Sequence, residues 1–330
     1  MTPFLKSARA RASVAVIVVC AASFAAGYWW TRPVPFPDRQ LSEAAHAADV
    51  GDYAKADSLL LGGDGSNSGS EALGALLTRR WDQDCKSAAD FLTKITSSRP
   101  TSNAGAITRA LAVYTVAHEK ELSQSVPLLR ESFGARCPAL ARALAKAFAA
   151  YLPAMYGEDQ GASGFTPGLK TADVTKLAAV IGTDRTAGNE FGKQGRQLAE
   201  KWEREFADSV VSGEKEAATH LMREAGELVG SLDRAHVGDW QHRSAVVTDF
   251  ACYAGVSVLI QKQGAPETGP LNRFLVDGHL PGIEALDGPN GAELGDELRK
   301  YLSSSGFAET MFAGVQTFKE SYDRVQHESL

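Results

Sequence analysis

Hydrophobic residues recur every three or four positions through most of the chain, which is the spacing of an amphipathic α-helix. Leu140, Leu144 and Phe148, for example, follow one another at intervals of four in a stretch rich in alanine. Aromatic residues make up only 8% of the chain, and a core of alanine and leucine favours helices that approach each other closely. The pattern predicts an all-α fold.

Two of the predicted helices are long and lie next to each other in the sequence. The first carries Trp202, Phe206 and Val210 on one face, and the second carries an apolar stripe that ends at Leu232. Gly213 lies between them. Because glycine readily ends a helix and permits a sharp turn, the pair is predicted to form an antiparallel helical hairpin.

The N-terminus differs from the rest, because a short basic leader precedes an uncharged apolar run. The leader covers residues 1–12, and the run over residues 13–30 ends with Tyr28, Trp29 and Trp30. A helix of about 20 residues spans roughly 30 Å, the thickness of the hydrocarbon core of a bilayer. Aromatic rings with a polar edge suit the headgroup boundary. We predict a single transmembrane helix with these three residues at the membrane interface.

The charges around this run predict its orientation. Basic residues before an apolar segment favour a cytoplasmic N-terminus, so the C-terminal domain is expected outside the cytoplasm, anchored in the cell membrane by a single pass. The alternative is a cleaved signal peptide with Val14–Ala26 as its apolar region, which would leave the remaining chain secreted.

Proline and glycine divide the rest of the chain. Residues 31–39 contain alternating prolines and are predicted to form an extended, semi-rigid spacer. Helical patterns then occupy residues 40–156 and 171–330, with a glycine-rich loop between them. We expect an N-terminal and a C-terminal helical subdomain.

Three cysteines lie beyond the apolar run. Cys85 and Cys137 each precede a predicted helix, and they can meet if the two helix starts are neighbours. Cys252 lies among apolar residues and is predicted to be a buried small side chain. A compartment outside the cytoplasm permits disulfides, and the sequence leaves open whether Cys85 and Cys137 pair or all three thiols stay reduced.

The charge of the chain limits its partners. The net charge is −6, and residues 1–30 carry three basic and no acidic residues, so the remaining 300 residues carry −9. This balance argues against binding of nucleic acid and against docking of the domain on anionic lipid. We expect membrane contact through the anchor and binding to protein partners, and self-association is left open.

No catalytic or cofactor-binding motif is recognisable in the sequence. None of the seven histidines lies in a spacing such as His-Glu-x-x-His, and no phosphate-binding glycine loop or Gly-x-Ser-x-Gly turn occurs. Carboxylates cluster on one predicted helix at Glu200, Glu203, Glu205 and Asp208, where a solvated face is far commoner than a catalytic pair. We predict no catalytic residue, no cofactor and no metal site.

Val246–Ile260 is the most apolar segment outside the N-terminal run. It is too short to cross a bilayer easily and contains Asp249, so a buried core helix is the simpler interpretation. Its β-branched residues leave a strand open, and conditional membrane insertion is the functional alternative.

Residues 138–250 resemble a known family. The runs Ala143–Pro153 and Val174–Gly182 and the long helix that follows are similar to actinobacterial helical proteins called TPR-repeat-region proteins, some of which accompany small secreted proteins of the WXG type. The helices around Gly51 and Asp52 also resemble half of a tetratricopeptide unit. The resemblance implies a helical fold with TPR-like hairpins and an envelope or secretion context, and it implies no site residues.

These observations predict a membrane-tethered, non-enzymatic interaction or scaffold protein of the cell envelope. The first alternative is a membrane-active or toxin-like effector that inserts Val246–Ile260. An envelope hydrolase is a third hypothesis, and it requires carboxylates or histidines gathered in one cleft.

Overall fold

A computed structural model describes most of the chain beyond its N-terminus. The described residues are 39–62, 68–79, 81, 83–96, 103–124, 131–157, 165, 169–237 and 244–328. The predicted leader, the apolar run with Tyr28, Trp29 and Trp30, and all of the spacer except Arg39 lie outside them. Arg39 begins the first helix rather than ending the spacer. No helix in the described ranges has the length and apolar character needed to cross a bilayer.

The described chain is built from α-helices. It contains fifteen of them and no strand, with one isolated β-bridge between Val276 and His279. The all-α prediction is confirmed. The helices are α1 (Arg39–Asp49), α2 (Tyr53–Leu61), α3 (Ser68–Thr78), α4 (Lys86–Thr96), α5 (Ala104–Ala117), α6 (Glu119–Ser123), α7 (Phe133–Arg136), α8 (Pro138–Ala150), α9 (Leu152–Met155), α10 (Thr171–Ile181), α11 (Arg185–Ser212), α12 (Lys215–Arg234), α13 (Ser244–Gln263), α14 (Gly291–Ser304) and α15 (Ala308–His327). Short 3₁₀ turns cover Gln83–Cys85, Pro270–Phe274 and Ile283–Asp287.

The two long helices α11 and α12 form the predicted antiparallel hairpin. The Asp184 carboxylate accepts a hydrogen bond from the Ala187 amide at 2.7 Å and so caps the start of α11. Gly213 ends the helix with a φ of 91°, a left-handed conformation that glycine adopts without a steric penalty. The chain then folds back, and Gly195 of α11 lies against Leu232 near the far end of α12.

Helix α15 packs against α12 at two glycines. A Cβ atom at Gly226 would overlap the carbonyl oxygen of Phe318, and one at Gly230 would lie 3.1 Å from the carbonyl oxygen of Tyr322. Hydrogen bonds join the same two helices: the Tyr322 hydroxyl donates to Asp233 at 2.9 Å. Glycine therefore permits an approach that a larger side chain would prevent.

The core crosses the boundary between the two predicted subdomains. Buried side chains form one continuous cluster that runs from Leu41 in α1 to Tyr322 in α15. Helix α8 packs against both α4 and α11, and α10 packs against α5 and α12. The segments 40–156 and 171–330 thus share one core in the structure.

A disulfide joins Cys85 and Cys137, whose Cα atoms lie 5.0 Å apart. Cys85 directly precedes α4 and Cys137 directly precedes α8, so the bond ties together the starts of two helices that pack on each other. Cys252 is a free, buried cysteine. In the structure Cys85 and Cys137 are thus paired and Cys252 is not.

The apolar segment Val246–Ile260 lies within α13. It is helical, so the strand alternative is wrong. Cys252, Val256 and Leu259 are each 0% exposed, and Asp249 forms an ion pair with Arg299 of α14. In the structure this segment is a core helix.

We expect Gly226→Ala to lower the free energy of unfolding by about 1–3 kcal/mol, because the new methyl group meets backbone rather than a movable side chain. The preference of helices for alanine, up to about 1 kcal/mol, offsets part of this loss. Gly306→Ala is the control, since nothing lies within 4 Å of a Cβ atom at that position. Urea unfolding measures both variants, and equal stability of the two would contradict the close approach of α12 and α15.

Candidate functional site

A cleft of about 230 Å³ opens between α11, α13 and the 3₁₀ turn Ile283–Asp287. We call it the carboxylate cleft. Its lining residues are Glu200, Glu203, Arg204, Tyr253, Ala254, Ser257, Gln261 and Ile283.

Helix α11 supplies both carboxyl groups of the cleft. Glu200 and Glu203 lie three residues apart, so they are neighbours on one helix face. The large residues Trp202 and Phe206, which are 0% and 4% exposed, fix the rotation of α11 by packing into the core. Glu203 follows Trp202 directly and is held on the inner side of the helix, where it is one of the residues that line the cleft.

Helix α13 and the segment after it form the opposite wall. The Tyr253 hydroxyl donates a hydrogen bond to the Pro281 carbonyl oxygen at 2.6 Å. This bond holds the turn that contains Ile283 against the cleft. In the connection between α13 and α14, residues 264–290, Leu271 is the one buried side chain. Partly buried apolar side chains of the same segment also pack against the core: Phe274, Leu275, Leu280, Ala285 and Leu286.

Glu203 has an unusual environment for a carboxyl group. The residue is 5% exposed, and its Oε2 atom has no hydrogen-bond partner within the described part of the chain. Burial raises the pKa of Glu203 to about 8, the neighbouring Glu200 adds to the shift, and Arg196 and Arg204 oppose it. Glu203 is therefore largely protonated at neutral pH.

Glu200 differs from Glu203 in its exposure. Burial raises its pKa, while Arg204 and Arg196 lower it and Glu284 raises it further. The cleft thus combines one deeply buried acid with a second acid nearer to solvent, and Arg204 stands exposed at its rim.

The placement of the two acids favours binding over hydrolysis. Glycoside hydrolases place two carboxyl groups on opposite sides of the bond to be cleaved. Glu200 and Glu203 instead come from consecutive turns of one helix and share one wall. The hydrolase hypothesis requires carboxylates or histidines gathered in one cleft, and the carboxylate cleft meets this condition. Both acids, however, would approach a bound ligand from the same side.

A second pocket, of about 350 Å³, lies between α9, α10 and α12. Glu227, one of its charged groups, is used within the protein: it accepts a hydrogen bond from the Thr171 hydroxyl at 2.7 Å and pairs with Arg324. Burial raises the pKa of the Tyr156 hydroxyl, and the Glu227 carboxylate adds to the shift. Tyr156 packs edge-on against Trp202 at 5.4 Å between ring centroids. These contacts hold helices together.

The acidic cluster predicted on α11 separates in the structure. Glu205 pairs with Lys201 at 3.4 Å and Asp208 with Lys262 at 2.6 Å, both on the surface. Glu200 and Glu203 enter the cleft. Among the described residues, no group of three or more histidine, cysteine or acidic side chains is placed to hold a metal ion.

The sequence contains a signal for Glu203 that the prediction missed. Ala199, Trp202, Glu203 and Phe206 follow the helical spacing i, i+3, i+4 and i+7. Glu203 thus occupies a position in the apolar stripe of α11. A charged residue type at such a position indicates either a buried ion pair or a binding site.

No protein-family model, no curated protein and no solved structure matches this chain. The resemblance to actinobacterial TPR-repeat-region proteins and the TPR-like character of the hairpins stay predictions.

Glu203→Gln is expected to change how stability depends on pH. In the native state Glu203 keeps its proton up to a pH of about 8, whereas its ordinary pKa is 4.5. Between these values the unfolded state releases a proton that the native state holds, so stability falls as pH rises, by about 1.4 kcal/mol per pH unit. The glutamine variant lacks this loss.

Urea unfolding at pH 5 and pH 8 measures the effect, and the stability of Glu203→Gln relative to the unmodified chain should rise by roughly 3–4 kcal/mol over that interval. Glu205→Gln, an exposed change on the same helix, is the control and should follow the unmodified chain. Identical pH dependence of all three proteins would show that Glu203 ionises normally.

Proposed function

We propose that the chain is a membrane-tethered, non-enzymatic helical interaction protein of the cell envelope, with its helical domain outside the cytoplasm. The observation that carries this proposal is the disulfide between Cys85 and Cys137. Disulfides persist in oxidising compartments and are rare in the cytosol. The bond agrees with the orientation expected from the basic leader and the apolar run.

The arrangement of the longest helices supports an interaction role. Helix α11 has 28 residues and is about 42 Å long. It packs against α12, which packs against α15. Glycine lies at both contacts, and hydrogen bonds join α12 to α15. Three helices held in this way present rigid outer faces, which lowers the entropic cost of binding a partner.

The charge of the domain indicates the kind of partner. The chain beyond residue 30 carries a net charge of −9. A protein with a basic surface would be steered towards it, and acidic partners and anionic lipid would be repelled.

The alternative function, membrane insertion of Val246–Ile260, requires α13 to leave the core. That change exposes Val256 and Leu259, breaks the ion pair of Asp249 with Arg299, and frees Tyr253 from the Pro281 carbonyl. The tethered interaction protein needs no such rearrangement, and it is the proposal that the packing favours.

Counting free thiols in cells lysed directly into denaturant tests whether the domain lies outside the cytoplasm. The chain has four cysteines, one of them Cys20 in the apolar run. After denaturation, an uncleaved exported chain should take up two maleimide mass tags before reduction and four after it. Cleavage of the leader removes Cys20 and gives one tag and then three. Four tags without reduction would place the domain in a reducing compartment and refute the proposal.

Dye release from lipid vesicles separates the two functions. The purified full chain, added to vesicles of neutral and of anionic lipid at pH 5 and pH 7, is expected to release no more dye than detergent buffer alone. A variant with an added charge in the apolar segment, Val258→Lys, is the control for insertion. If the unmodified chain releases dye and Val258→Lys does not, the result would support the membrane-active effector instead.

A further inference from the structure

We infer that the carboxylate cleft binds a small organic molecule that carries a protonated primary amine, through the buried Glu203 and the adjacent Glu200. The proposed interaction role does not require this site. If the cleft binds no amine, the proposals for the membrane tether and for the helical interaction surface are unaffected.

Glu203, one of the residues that line the cleft, is buried without a full set of hydrogen-bond partners. Glu203 is 5% exposed, and its Oε2 atom finds no hydrogen-bond donor in the described part of the chain. A buried polar atom without a partner is costly, and the neighbouring stripe positions hold alanine, tryptophan and phenylalanine. A leucine at this position would be cheaper for folding. An acid at this position is explained if its carboxyl group binds a ligand in the cleft that Glu203 lines.

Other polar groups line the cleft together with Glu203. An ammonium group donates three hydrogen bonds and accepts none. The cleft offers it acceptors in Glu203, in Glu200 and in the side chains of Ser257 and Gln261. The Tyr253 hydroxyl is already bonded to the Pro281 carbonyl, so this residue contributes its ring rather than a donor.

Charges of both signs lie around the cleft. Two carboxyl groups line it, and Glu284 lies near enough to Glu200 to raise its pKa. Arg196 and Arg204 oppose them from α11 itself. A ligand cation adds the charge that lets Glu203 ionise while buried, as a paired carboxylate.

The size of the cleft limits the ligand. A volume of about 230 Å³ corresponds to roughly seven or eight water molecules at about 30 Å³ each. The ligand therefore has on the order of eight non-hydrogen atoms. The ring of Tyr253 with Ala254 and Ile283 provides an apolar wall for a short alkyl group.

Two kinds of molecule share this chemistry. A simple alkylamine would use the carboxyl groups alone. An amino acid would place its ammonium group at Glu203 and its carboxylate towards Arg204, which is exposed at the rim. A matched pair of probes, n-butylamine and L-valine, separates these sources.

Isothermal titration of the purified full chain in detergent tests the inference. We expect n-butylamine or L-valine to bind and butan-1-ol, which has the same shape as the amine without its charge, to give no heat. Glu203→Gln should weaken binding by roughly tenfold or more. Glu205→Gln, which removes an exposed charge from the same helix, should leave binding unchanged. If the ligand is an amino acid, Arg204→Gln should weaken L-valine binding and spare n-butylamine.

A second variant tests the site without a change in the charge of the protein. Ile283→Trp fills the cleft from the 3₁₀ turn without touching either acid, and it should also abolish binding. The inference is wrong if neither amine binds at tens of millimolar, if butan-1-ol binds as well as n-butylamine, or if Glu203→Gln and Glu205→Gln bind alike. The last result would indicate attraction to the acidic surface only.

Discussion

Glycine allows α12 to lie directly against the backbone of α15, and much of the core follows from that approach. Gly226 and Gly230 leave space for the main chain around Phe318 and Tyr322. Gly314 of α15 in turn receives the ring of Phe206 from α11. Each contact fixes the rotation of a neighbouring helix. The rotation of α11, set in this way, turns Glu203 inwards towards α13.

Burial of the Glu203 carboxyl group costs free energy, although the packing of α11 fixes its position. Every other residue of the stripe favours exclusion of water, and the carboxyl group at Glu203 favours its presence. Such local conflicts are tolerated where the surrounding structure is stable enough to impose them, and they concentrate at functional sites. Here the long hairpin and the shared core supply that stability.

The helices themselves could be predicted from the sequence, because the stripe through Trp202 and Phe206 and the break at Gly213 are local signals. The pairing of α12 with α15 could not, because it joins residues about 90 positions apart and depends on backbone contact at Gly226. The bond between Cys85 and Cys137 was left open for the same reason. Glu203 was within reach of prediction: its position in the stripe marks it as buried, but the wall formed by Tyr253 and Ile283 is a tertiary feature.

The hydrogen bond from the Tyr253 hydroxyl to the Pro281 carbonyl also bears on how fast a ligand enters and leaves the cleft. Besides the buried Leu271, the connection over residues 264–290 packs only partly buried apolar side chains against the core, so it is expected to open locally while the helices stay folded. Local opening of this kind occurs far more often than global unfolding. The residence time of a ligand in the carboxylate cleft would then depend on this local opening, and a phenylalanine at position 253 would remove one of the contacts that oppose it.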